Sequence, residues 1–288
     1  MASGVLLHRL VSESAAIVID PMRLSMPLPD CRAVELVPSG MKREAHLMPL
    51  CVRPRDLDAA GRAALVGWID GVVCNRGDLP ALLIVDSADS TERVFAHLRR
   101  LLIVWLADGQ KCLFRYFDPM VLKHLAWMLD DSQCAALLGP CSSWCYWLDG
   151  QWRRLEPAAP SAPMQLRFDA RLSAQLQRIA ALNAVLATQR DVIDEARRIE
   201  RFRAIDGYIA RAQDRGWTRE KDWEAFAQLC LNCHPRFDEH PRVVDLIEQA
   251  LDDESEFNDV VCAMGDAFWA SVVSDMTRQD GDSTRART

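Results

Sequence analysis

No stretch of this chain reaches the roughly 18 uninterrupted apolar residues of a membrane-spanning helix; the most hydrophobic run, Leu98 to Leu106, is broken by Arg99 and Arg100. A helical membrane anchor is therefore not expected. The N-terminus lacks a basic segment followed by a long apolar core, since Val5 to Leu7 gives way at once to His8, Arg9 and Glu13. No signal peptide is predicted, and the protein is expected to be soluble and cytoplasmic, without a membrane partner. Basic excess is missing too. A net charge of -7 and a pI near 5.4 argue against nucleic acid as a partner, because such binders carry a positive electrostatic footprint. Also absent are a G-x-S-x-G elbow, an H-E-x-x-H pair, a P-loop and a G-x-G-x-x-G turn, and no compact acid/base constellation replaces them. The chain is read as not an enzyme. There is no internal repeat or low-complexity block.

What is present is enough apolar material for a sizeable core: half of the 288 residues are hydrophobic. Two domains are expected. Ten cysteines would suggest a disulfide framework in a small secreted protein, but scattered through a chain of this length they read as buried thiols packing as small hydrophobes. Charge is unevenly spread. Arg167 to Arg215 is arginine-rich and Asp238 to Asp259 is dominated by acids, so these segments pair either with each other or with partners.

The first half alternates strand and helix signals. Ala15 to Asp20 is a short apolar run closed by Pro21; Leu57 to Ile69 has apolar residues at helical spacing behind Asp56; Ala81 to Val85 is a continuous apolar run, as expected of a strand covered on both faces. Asp89 or Ser90 caps the next helix, whose buried stripe is predicted as Val94, Phe95, Leu98, Leu101, Leu102 and Trp105. His97 and His124 are placed on helix surfaces, facing solvent. The β-α-β-α order with short connections predicts an α/β fold whose sheet is at least partly parallel. Asp149-Gly150, set among Trp144, Trp147 and Trp152, marks a hairpin turn.

Glu156 to Pro163 contains three prolines among small residues, which disfavours helix, so the domain boundary is placed there. The expected division is an α/β domain over 1–156, a linker over 157–163, an all-α domain over 164–277 and a disordered tail over 278–288. Long periodic stretches from Leu166 to Arg215, including Ile193 and Phe202, and again from Trp223, Pro241 and Phe257 onward, support the helical assignment.

The most informative run is Phe114-Arg115-Tyr116-Phe117-Asp118-Pro119. Lys111 to Phe117 reads as a strand, with Cys112, Phe114 and Tyr116 on one face and Leu113, Arg115 and Phe117 on the other. Asp118 is a good N-cap, since its carboxylate accepts an orphan backbone N–H, and Pro119 at the first helical position loses no hydrogen bond. Arg115 either forks onto an internal carboxylate, Asp118 or Asp86, or projects to an edge and meets a partner. Farther on, Gly139-Pro140 ends a short helix and Trp144 follows.

Taken in order, these features from Ala81 to Trp152 resemble the DUF4123 domain, which is found in adaptor chaperones that load toxic effectors onto the spike of the bacterial type VI secretion system. Ala15 to Asp20 and His46 to Leu50, the latter a short strand, resemble the family's N-terminal strands. The resemblance implies a protein that holds a type VI effector and delivers it to the VgrG spike, with no cofactor. It also marks Phe114, Arg115, Tyr116, Asp118, Pro119, Gly139, Pro140 and Trp144 as signature residues, structural or partner-binding. The run Phe237-Asp238-Glu239-His240-Pro241 resembles the helical C-terminal region of some members and makes Phe237, His240 and Pro241 candidate effector contacts.

A competing chemistry is spelled by Cys230-Leu231-Asn232-Cys233-His234, the C-x-x-C-H pattern of covalent haem attachment. Zinc is the other candidate for Cys230, Cys233 and His234, with His240, or with Cys141 and Cys145 as a second half-site. The bland reading is a packed helix end before Pro235. The tryptophans are read as core or, by their enrichment in hot spots, as contacts.

Overall fold

The computed structural model describes residues 2–24, 26–74, 82–158, 165–189, 194–253 and 255–285. Ala81, residues 159–163 of the expected linker, Ile193 and the last three residues of the expected tail lie outside them. The chain divides into two compact units, Met1–Ser173 and Ala174–Thr288.

The first unit begins with α1 (Ala2–Glu13) and β1 (Ala16–Ile19), followed by β2 (Val34–Glu35), β3 (Leu50–Val52), α2 (Ala59–Cys74) and β4 (Leu82–Asp86). After β4 come α3 (Thr91–Leu101), β5 (Ile103–Trp105), β6 (Lys111–Leu113), α4 (Pro119–Met128), α5 (Asp131–Leu138), β7 (Ser143–Leu148) and β8 (Gln151–Leu155). Six strands form one sheet in the order β2-β3-β1-β4-β7-β8, and β5 and β6 form a separate pair. Every pairing is antiparallel.

This corrects the partly parallel α/β sheet expected from the element order. Both β3 and β4 pair antiparallel to β1, with Ile17 opposite Val52 on one side and Ile84 on the other. They therefore run in the same direction, and α2 does connect them as a crossover. Yet β1 lies between them, so no parallel ladder forms. A β-α-β order cannot tell adjacent strands from strands separated by a third. The continuous apolar run of β4 likewise reflects a central strand buried on both faces, which an antiparallel sheet also permits.

Alternation along these strands sorts the core. Ile17, Ile19, Leu82, Ile84 and Cys145 pack with Leu7 and Val11 of α1 and with Leu65, Trp68 and Ile69 of α2. Their neighbours Val18, Leu83, Val85 and Trp144 are buried on the opposite face, where the Trp144 ring meets Tyr116 with centroids 5.3 Å apart. β7 and β8 join through Asp149 and Gly150 at φ 51° and 76°, the positive values that a two-residue primed turn needs.

Three local expectations are also corrected. Residues 42–47 form a two-turn 3-10 helix, and the strand starts only at Leu50. α3 stops at Leu101, and Ile103–Trp105 turns back against Lys111–Leu113, leaving Trp105 64% exposed instead of buried. The run Lys111 to Phe117 is strand only to Leu113. Phe114, Tyr116 and Phe117 are then all buried, so the expected two-face alternation fails beyond that point.

The second unit is helical. α6 (Ala170–Thr188) leads into α7 (Glu195–Asp214), α8 (Glu220–Asn232), α9 (Pro241–Asp252), α10 (Phe257–Ala263) and α11 (Asp266–Arg285). Helix α11 thus runs through residues 278–285 of the stretch expected as a tail. An aromatic core holds the unit: Phe237 lies 4.9 Å from Phe226 and 6.1 Å from Trp269 between ring centroids. The segregated charges of the sequence pair within this unit. Arg211 and Arg215 each reach the buried Asp238 at 3.0 Å, and Arg219 pairs with Glu256. No described helix of either unit is long and apolar enough to cross a membrane.

Candidate functional site

Two copies of the tripeptide Asp-Pro-Met build the centre of the first unit. Asp20 precedes Pro21-Met22, and Asp118 precedes Pro119-Met120. In each, the carboxylate Oδ1 accepts the methionine backbone N–H at 2.9 Å and so caps a helix with proline in its first turn: a single turn at Pro21–Arg23 and the whole of α4. The chain brings these two caps together, and Arg115 ties them. Its Nη2 donates to Asp20 Oδ2 at 2.6 Å and to Asp118 Oδ2 at 3.4 Å, while Arg23 Nη1 reaches Asp118 Oδ1 at 3.4 Å. The Arg115 guanidinium also lies over the Phe117 ring, 5.3 Å from its centroid.

The burial of this cluster is asymmetric. The Asp20 and Asp118 side chains are 1% and 6% exposed, whereas Arg115 and Arg23 are 32% and 42% exposed. Anions sit inside and cations at the rim. Of the internal partners proposed for Arg115, Asp118 is met and Asp86 is not: Asp86 faces Arg154 at 3.7 Å. Asp20, the shortest contact, was missed by sequence reasoning. The repeated Asp-Pro-Met was the signal that could have found it.

Most of the other signature residues lie inside. Phe114 packs edge-on against Phe168 at 5.4 Å, and the fully buried Tyr116 donates its hydroxyl to Leu98 O at 3.0 Å. Trp144 is fully buried, and the Pro140 carbonyl accepts the Ser87 hydroxyl at 2.6 Å. Gly139 ends α5 at φ 59°. A Cβ placed there would lie 2.3 Å from His97 Cε1, so any side chain collides with the ring.

His97 and His124 are therefore not the solvent-facing residues expected, since both are buried. His97 Nδ1 takes a hydrogen bond from Arg100 at 3.2 Å, which leaves Nε2–H to donate to Leu137 O at 2.8 Å. Burial, with Arg100 nearby, lowers the His97 pKa and keeps the ring neutral. His124 Nδ1 accepts the Trp127 indole N–H at 3.2 Å.

In the second unit, Phe237 is fully buried and builds the aromatic core. His240 is buried at the N-cap of α9 with Nε2 3.5 Å from Asp275 Oδ2, and of the three candidate contacts only Pro241 is exposed. Cys230 lies in the last turn of α8, its Sγ accepting from Arg211 Nη2 at 3.1 Å; Cys233 ends the helix, and His234 Nδ1 accepts the Arg236 backbone N–H at 3.2 Å. Burial pushes the Cys230 thiol up to about 12 in spite of Arg211, and raises Cys233. Without a metal, both thiols stay protonated at neutral pH. Cys141, in the first unit, is likewise pushed up to about 12 by burial, and Cys145 is raised. Among the described residues no three His, Cys, Asp or Glu side chains gather as a metal site.

A cleft of about 390 Å³ between α1 and the sheet is lined by Arg9, Glu13, Ser14, Asp86, Cys145 and Arg154 among others. Its charges are mutually paired: Arg9 with Glu13 at 3.0 Å, and Arg154 with Asp86. Cys145, with its raised pKa, is a poor nucleophile there.

Residues 41–136 match the family described as Domain of unknown function (DUF4123). The match takes in Phe114 to Pro119 and the short helix 42–47, and ends before Gly139, Pro140 and Trp144. No curated protein and no solved structure matches the chain.

Proposed function

From a chain that carries a DUF4123 match over residues 41–136, we propose an adaptor chaperone of the type VI secretion system: a non-enzymatic protein that binds a cognate effector in the cytoplasm and loads it onto the VgrG spike. The observation that carries this reading is the coincidence of the family match with the Phe-Arg-Tyr-Phe-Asp-Pro run, which is built as a rigid buried latch with one cation at its rim. Such a job calls for a stable platform and contacts weak enough to release the cargo. Two compact units supply two platforms. In this reading the first carries the contact common to the family, and the helical unit contributes the choice of effector.

Co-expression of the full chain with the spike protein and the toxin encoded by neighbouring genes tests the proposal. Co-purification of the chain with both, through size-exclusion chromatography, is expected. A chain that elutes alone under conditions where both candidates are folded would remove the adaptor reading.

A further inference from the structure

The geometry points to a docking surface on the first unit for an acidic, apolar-anchored segment of a partner protein; its biological sense rests on the adaptor reading. Large apolar side chains are rarely exposed among the described residues, and two of the exceptions belong together. Met22 is 63% exposed on the one-turn helix 21–23, and Leu47 is 38% exposed on the two-turn 3-10 helix 42–47, which contacts it. These residues lie at one end of the β1–β3 ladder, Met22 three residues after Ile19 and Leu47 three before Leu50, the pair that closes the register.

The exposed charges around them are mostly positive. Arg23, Lys42 and Arg43 are exposed, and Arg115 is partly so; Lys42 and Arg43 have no ion-pair partner among the described residues. Of the acids in the same place, Glu35 of β2, opposite Leu50, is exposed and the others are withdrawn. Asp20 and Asp118 are buried under Arg115 and Arg23, and Glu44 is half-buried. His46, also exposed on the 42–47 helix, adds positive charge only when protonated. In a chain of net charge -7 a cationic rim around two exposed apolar side chains selects a ligand of opposite sign with an apolar anchor. Methionine, unbranched and polarizable, suits a surface that must adapt to a partner's side chain and release it. The burial asymmetry of the Asp20–Arg115–Asp118 cluster thereby gains a purpose: the carboxylates fix the cations and leave their outer donors toward the partner.

The test uses the full chain and three labelled peptides of equal length: alternating Glu and Leu, the same with Lys for Glu, and the same with Ser for Leu. Fluorescence anisotropy should show binding of the Glu-Leu peptide alone, weakening as salt is raised. The double variant Lys42→Glu/Arg43→Glu, with an unchanged melt, should weaken that binding by about tenfold or more, and Met22→Ser/Leu47→Ser should weaken it as well. Equal binding to wild type and the charge-reversed variant would overturn the inference, as would equal binding of the Lys-Leu peptide. Vesicles of phosphatidylserine and phosphatidylcholine provide the remaining arm: vesicle binding without peptide binding would assign the surface to anionic lipid and overturn the protein-segment reading. The two proposals fail separately. If effector and spike co-purify equally with wild type and Lys42→Glu/Arg43→Glu, the surface is wrong and the adaptor stands; if peptide binding depends on Lys42 and Arg43 but neither partner co-purifies, the reverse holds.

Discussion

Arginine clasped by aspartate recurs in both units of the chain, and two of these clasps, Arg178 on Asp206 and Arg115 on Asp20, differ in where the cation ends up. In the second unit Arg178 of α6 meets Asp206 of α7 through Nε at 2.7 Å and Nη2 at 3.1 Å, with Gln175 and Gln213 completing the set at 3.3 and 3.2 Å. Both charged side chains are at most 10% exposed. That clasp is sealed, and its work is to fix α6 against α7. In the first unit the carboxylates of Asp20 and Asp118 are as deeply buried, yet the Arg115 they hold is about a third exposed. A cation so placed is positioned by the interior and presented to the exterior. The same pair of residue types thus makes a staple at Arg178 and a fixed surface charge at Arg115, an arrangement that Arg211 and Arg215 repeat on the buried Asp238 of the second unit.

The largest effect should come from breaking the sealed clasp. Arg178→Ala strands Asp206 in a buried site and should cost about 3–5 kcal/mol, read by urea unfolding of the full chain followed at the tryptophans of the second unit. The first unit's nearest equivalent staple is not its ion cluster but the backbone contact at Gly139. Gly139→Ala should cost about 2–4 kcal/mol, because a side chain at positive φ is strained and its Cβ would strike His97. The pair Gly139→Ala/His97→Ala, measured the same way, should recover the collision but not the strain. Arg115→Ala should be milder, about 1–2 kcal/mol, since solvent reaches the guanidinium and both aspartates keep their capping bonds. A loss as large as that of Arg178→Ala would erase the distinction between the clasps.

The smallest effect is a pH dependence confined to the first unit. The folded state holds His97 neutral, so unfolding takes up a proton below the ordinary histidine value of 6.5; stability present above that pH is lost as pH falls toward the lowered folded-state value. Thermal melts between pH 7.5 and 5 should show this decline, and His97→Gln should flatten it.

Much of the local structure was legible in the residues because local rules wrote it. Asp118-Pro119 predicted a capped helix start, Asp149-Gly150 a tight hairpin, and Asp89 or Ser90 the cap of α3; the cap is Ser90, whose hydroxyl accepts the Arg93 N–H at 3.4 Å. Sheet direction was not legible. It depends on β1 inserting between β3 and β4, a long-range choice that no window of sequence contains. Periodicity also misled at Trp105, where apolar spacing continued past the true end of α3 into a strand whose outer face is open. Within the candidate site, Arg115 and Asp118 were readable from their local motif. Asp20 was not, because its partner is 95 residues away and only the repeated Asp-Pro-Met hints at the pairing.

The most direct test compares the two clasps by binding instead of by stability. Whichever of the neighbouring effector and spike proteins co-purifies with the full chain should be titrated against wild type, Arg115→Ala and Arg178→Ala, below the melting temperature of all three. Arg115→Ala should weaken the affinity by about tenfold or more while Arg178→Ala, the more destabilised variant, stays within about twofold of wild type. Equal losses, or a loss confined to Arg178→Ala, would contradict this expectation.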